Sequence, residues 1–215
     1  QFTYDKAGSG ILKVGTIVTS DADTARIQPV SIGSGAILTS DYATAVGARS
    51  SVGGIQSTAI GNDAQAASEY CVAIGAGPVC NAGYGIVIGQ GSTANQSKGV
   101  VIGSQSHLTA GHSNSVVIGY STTVAHTRSV AIGADADSWG HYSVGIGEQS
   151  HAGESSIALG YRANVGDSGL VIANAYDNSI LSGLFNSSAA STNGYLLTST
   201  KFGINRTSTP DAMLD

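Results

Sequence analysis

Ser115-Val116-Val117-Ile118-Gly119 is answered fourteen residues later by Ser129-Val130-Ala131-Ile132-Gly133, and fourteen later again by Ser143-Val144-Gly145-Ile146-Gly147. Working outward from these copies, an apolar triplet followed by glycine recurs at Gly33, Gly47, Gly61, Gly75, Gly89, Gly103 and Gly160. Leu170-Val171-Ile172-Ala173 repeats the pattern without its glycine. The steps between the ten glycines are 14 residues, except for one of 16 between Gly103 and Gly119 and one of 13 between Gly147 and Gly160. A period this regular predicts a solenoid, in which each repeat is a small unit stacked on its neighbours.

Within a repeat, the residue just before the glycine is Ile, Val or Leu in every copy, and the residue three before it is Val, Ile, Leu or Thr. These two share one face of a strand. The other face is small: Ala59, Ala73, Ala131 and Gly145 stand two before the glycine, and Ser57, Gly85, Ser115, Ser129 and Ser143 four before it. The expectation is that the branched face packs inside and the small face meets another subunit, because it carries almost no charge and permits close backbone approach. A second short strand follows. Ala36, Ala64, Ser106 and Ala136 (three after the glycine) and Leu38, Val52, Leu108 and Val124 (five after) give it a modest inner face, while Gln65, Thr93, His107, Asp137, His151 and Asn164 face outward. Stacked about 4.8 Å apart, ten or eleven such coils make a rod roughly 50 Å long.

Composition narrows the function. Only 11 % of residues are charged, against roughly 25 % in an ordinary soluble domain. The net charge is −5 and the nine Lys and Arg residues are scattered, so the basic stripe of a nucleic-acid partner is missing. No apolar run approaches the roughly 18 residues of a bilayer span, so membrane insertion is not expected. The first residue, Gln1, is followed by no signal-peptide pattern, which reads as a mature piece whose targeting segment lies elsewhere. Five histidines show no zinc spacing, and the Asp21/Asp23 and Asp135/Asp137 pairs lack surrounding oxygen ligands, so neither metal nor cofactor is expected. The six-residue period of left-handed β-helix acyltransferases does not divide 14, and no nucleophile elbow or phosphate loop follows a strand; no catalytic residue is assigned and an enzyme is not expected. Cys71 falls in the small slot and Cys80 in an apolar slot of the second strand. The reading is two free thiols on different faces, in keeping with assembly in a reducing cytoplasm.

The motif Asn114-Ser115-Val116-Val117-Ile118-Gly119 and its variants at 128–133 and 142–147 resemble the head repeat of YadA-type trimeric autotransporter adhesins. The resemblance covers about residues 29–173 and implies a left-handed parallel β-roll of about ten coils, all-β, three of which pack as a homotrimer. After it, Gly194-Tyr195-Leu196-Leu197 and the stretch from Lys201-Phe202-Gly203-Ile204 through Thr209-Pro210 to Met213-Leu214-Asp215 resemble the segment of phage tail fibres and tailspikes that often precedes a cleaved intramolecular chaperone. Asn205 and Arg206 depart from the Gly-Thr usual there. The domain reading is therefore an N-terminal cap or shaft connection at 1–28, the repeats at 29–173, and a C-terminal β-rich cap or tip at 174–215.

The slot five before each glycine holds Tyr42, Tyr70, Tyr84, Lys98, Asn114, Arg128 and Tyr142. Stacked at one corner, these make an aromatic and cationic column suited to sugar rings and acidic saccharides; as a purely structural feature the tyrosines would cap the corner of the roll. With His107, and His112 inside the 16-residue repeat, Tyr42, Tyr70, Tyr84, Lys98, Arg128 and Tyr142 form the candidate receptor-binding set. The function expected is trimeric attachment of a virion tail fibre to a host bacterial surface, by a glycan or an outer-membrane component. The alternatives are an adhesin head on a bacterial cell surface, a structural spacer without a receptor site and, more distantly, a depolymerising tailspike.

Overall fold

A computed structural model describes residues 29–95, 97–109 and 113–173 in full; outside them it describes only backbone strands at Phe2–Tyr4, Leu12–Val14, Ser179–Leu184 and Tyr195–Leu197. The protein is an all-β parallel solenoid of about ten turns. Each turn contributes a three-residue strand to one sheet and a two-residue strand to a second, as with Val116–Ile118 followed by Thr123–Val124. Successive triplets pair in parallel and in register, Val116 beside Val130 and Ile118 beside Ile132, and the second strands do the same, His107 beside Thr123. Among the described residues the first sheet has 15 strands and the second 10. At both ends of the first sheet parallel pairing gives way to antiparallel pairing: Phe2–Tyr4 lies against Leu12–Val14, and Gly169–Ala173 against Ser179–Leu184. Among the described residues no helix is long and apolar enough to cross a membrane.

The turns follow from backbone chemistry. Each anchor glycine has a φ between +113° and +150°, a region that L side chains rarely adopt. Stacking adds a second constraint, because a Cβ on Gly89 would stand 1.5 Å from the carbonyl oxygen of Gly103. Two further positions per coil are left-handed without being restricted to glycine. One is two after the anchor, as at Arg49 and Asp63 (both φ 55°), and the other is five before it, as at Tyr70 (φ 56°) and Arg128 (φ 56°).

The first strand is turned opposite to the expectation. Ala59, Ala73 and Ala131 are fully buried, whereas Ile60, Ile86, Ile88, Ile102, Ile146 and Ile157 are 37–41 % exposed. Small residues fill most of the inward slots, with Val87, Val101 and Val117 there in three successive coils, and the branched residues on either side of that slot form an outward stripe. The cause is space: the two sheets of one coil face each other across a gap that also holds the second strand's inner residues. Among the largest fully buried side chains are Leu108, Val52, Val87, Val101, Val117 and Val124. Forcing larger groups into such a layer costs about 1–3 kcal/mol per site. The second strand is as expected, with Ala36, Ala64, Ser106, Leu38, Val52 and Val124 all buried.

Serines recur inside this narrow core because their hydroxyls satisfy the corners. Ser129 Oγ donates to the Gly140 carbonyl at 2.7 Å and accepts the Ser143 N–H at 3.4 Å, one coil on. Ser106 does the same beside the second strand, donating to Gly119 O at 2.8 Å and accepting from Thr122 N at 3.3 Å. The apolar core is interrupted once. Ser138, Ser143 and Ser150 are buried, and with Gly145 they separate a cluster ending at Ala136 from one that begins at Ala152.

Candidate functional site

The slot five before the glycine projects outward because its left-handed backbone turns the chain at the coil's corner. Tyr42, Tyr70, Tyr84, Lys98, Arg128 and Tyr142 all adopt φ values of 52–61° and are exposed. Tyr70 and Tyr84 stack with ring centroids 4.6 Å apart and an interplanar angle of 13°. Farther along, the Arg128 guanidinium donates to the Tyr142 hydroxyl at 2.8 Å and lies 5.5 Å from its ring centroid. Gln56 separates Tyr42 from Tyr70 in this column. His107 is not part of it: it lies exposed on the second sheet between Thr93 and Thr123. His112 lies outside the described residues. The two extra residues of the 16-residue repeat fall between Thr109, whose N–H still donates to Val124 O, and Ser113, which still pairs with Ser97.

The two cysteines share one interior rather than opposite faces, a correction that follows from the inverted first strand. Both are buried and unbridged. Cys71 Sγ lies 3.1 Å and Cys80 Sγ 3.6 Å from the same Ala82 carbonyl oxygen. Hydrogen bonding from the Cys80 thiol holds Cys71 at about 7, and the same contact with burial pushes Cys80 upward. Gly85 leaves the room for this pair, since a Cβ there would lie 2.7 Å from Cys80 Sγ.

A second feature escaped the sequence reading. Trp139, the chain's one tryptophan, is 64 % exposed at the corner that follows the second strand. Its backbone N–H donates to Ala152 O at 2.9 Å, and its ring meets His151 edge-on at 6.0 Å. Burial pushes the Asp137 carboxyl above its usual range, while His151, with Nδ1 3.3 Å from Asp137 Oδ2, and the indole N–H draw it partly back. In the next two coils this corner is one residue shorter: His151 pairs with Asn164, 13 residues on, and Ile157 with Leu170, also 13 on. The positions equivalent to Trp139 there are Gly153 and Gly166. The surface steps down beside the indole, leaving a groove of about 600 Å³ lined by Trp139, His126, His141, Glu154, Asn164 and Asp167 among others. His126 and His141 stand with ring centroids 4.6 Å apart, and Asp167 Oδ1 is fixed by the Glu154 N–H at 2.8 Å. Among the described residues no group of three or more His, Cys, Asp or Glu could hold a metal ion. The signals that could have led to the groove are the 13-residue steps and the lone tryptophan.

The YadA head domain repeat (2 copies) matches this chain at residues 53–77, 113–136 and 140–163. Among solved structures it is similar to the collagen-binding domain of the Yersinia adhesin YadA, at 25 % identity over 74 % of this chain and 80 % of that one, with a TM-score of 0.39. Among curated proteins none matches the chain.

Proposed function

We propose that the chain is a homotrimeric attachment rod, the region of a phage tail fibre that holds the particle to a bacterial surface, and that it works by binding alone. The observation that carries the trimer is the outward stripe of the first sheet. Ile60, Ile74, Ile88, Ile102, Ile118, Ile132 and Ile146 succeed one another on the same face from coil to coil. Burying one such side chain contributes about 1.5–3 kcal/mol relative to leaving it in water, and a contiguous apolar stripe is the mark of an interface. A rod of identical chains covers it by placing these stripes against one another around a common axis. The corner columns then face outward in three copies, and weak single contacts add as avidity.

The assignment to a fibre rests on the resemblance of the segment from Gly194 to Asp215. The adhesin-head reading is favoured by the matching head repeats. Sequence following Asp215 separates them: a chaperone domain supports the fibre, a coiled coil with a membrane anchor the adhesin. Mass in solution tests the assembly. Three chains are expected, with Ile102→Asp shifting the protein towards monomer, and a folded wild-type monomer refutes the trimer. Labelled trimer should bind whole bacterial cells; a confirmed trimer that binds none is a spacer.

A further inference from the structure

We propose that the groove beside Trp139 is a binding site for a neutral saccharide, which names the ligand class of the attachment reading above and rests on it. The indole stands largely exposed, on a backbone held by the Trp139 N–H to Ala152 O and with its ring edge-on to His151. A rigid, exposed aromatic plane is what the apolar C–H face of a pyranose stacks on, and tryptophan concentrates binding energy where it occurs at contacts. Around it the groove supplies acceptors, Glu154, Asp167 and the Asn164 amide, and carboxylates form charge-assisted hydrogen bonds with hydroxyls. The volume falls in the range of about 300–1,000 Å³ that small ligands occupy.

The sign of charge selects among sugars. Carboxylates of Glu154 and Asp167 line the groove, and no Lys or Arg is among its lining residues. A sialylated or uronic-acid ligand would meet like charge, whereas a neutral or N-acetylated hexose would not. The site is also built by subtraction. Gly166 has nothing within 4 Å of where a Cβ would stand, whereas a Cβ at Gly153 would meet Asp167 Oδ1 at 2.7 Å, so the space beside the indole is left by two shortened corners and the side chain that Gly166 lacks, with the core of the roll untouched.

Because Trp139 is the one tryptophan, its fluorescence reports on this groove alone. The full chain is titrated with lactose, maltose and N,N′-diacetylchitobiose, with 3′-sialyllactose as the charged comparison. A saturable change in emission with at least one neutral sugar, and a weaker one with sialyllactose, is expected. By saturation-transfer NMR with the same sugar, Trp139→Ala should abolish binding and Glu154→Gln weaken it about tenfold, the size of one charged hydrogen bond. Gly166→Leu fills the groove from open space and should abolish binding with the roll's circular dichroism unchanged. Binding that survives both Trp139→Ala and Gly166→Leu, a preference for sialyllactose, or no response to any neutral sugar by folded trimer overturns the proposal. If the trimer binds cells in that last case, the attachment reading stands without this site. A sugar response from trimer that binds no cells supports the site and counts against attachment.

Discussion

Each coil turns at an anchor glycine and turns again five residues before the next one, and both corners depend on positive φ. From Gly33 to Gly160 the first corner is always glycine. The second, at φ values of 52–62°, accepts Tyr, Gln, Lys, Asn, Arg and Ser. The difference lies in what surrounds the missing Cβ. At the anchors it would fall 1.5–2.6 Å from a carbonyl oxygen of the next coil, while at the second corner the side chain leaves the stack. A left-handed φ alone costs an ordinary residue about 1–2 kcal/mol, which a repeat fold absorbs many times. Backbone stacked on backbone offers no such tolerance.

A pair of alanines two residues apart separates φ from stacking, one at an anchor and one at the left-handed position two after it. Gly89→Ala meets the Gly103 carbonyl at φ +142°, whereas Gly91→Ala sits at φ +62° with nothing within 4 Å. The first should cost on the order of 4–5 kcal/mol or more and the second about 1 kcal/mol, measured by chemical denaturation. Equal costs would mean that φ, not stacking, selects the glycines. A smaller effect is expected at Ser129, whose hydroxyl bridges the Gly140 carbonyl and the Ser143 N–H. Ser129→Ala removes the acceptor of the buried Ser143 N–H, while the Gly140 carbonyl keeps the Ser143 hydroxyl, at about 1–2 kcal/mol. The smallest belongs to the tolerant corner. A double-mutant cycle of Tyr70→Ala and Tyr84→Ala should give a coupling of about 0.5 kcal/mol for the stacked rings, with each single variant keeping the fold; no coupling would make the column a row of independent side chains.

Much of this fold was legible because the repeat is the fold: the recurring triplet, in steps of 14 with one of 16 and one of 13, located every first strand from Val30–Ile32 to Ile157–Leu159. The inward slots of the second strand were also legible, since Leu38, Val52 and Leu108 alternate with Gln65, Thr93 and His107. The first strand could not be oriented the same way. A period of two says which residues share a face, not which face is inside, and the habit of placing Ile before Ala in a core fails where two sheets approach closely. Cys71 and Cys80 were separated by that same error. The corner column of Tyr70, Tyr84, Arg128 and Tyr142 could be placed from sequence because repeat slots stack by construction. The groove could not: His126, Glu154 and Asp167 share the slot seven after the anchor glycine, but Trp139 stands one position earlier, and the four meet only where shortened corners expose one coil above the next.

The coil, its register and the outward corner are written in the repeat, because a regular period leaves one way to stack in-register strands whose turns need glycine. Packing settled which face of the first strand is core, that both thiols approach the Ala82 carbonyl, and where the surface opens beside Trp139. Those outcomes depend on the width between sheets and on differences between neighbouring coils, distances that a one-dimensional period does not contain.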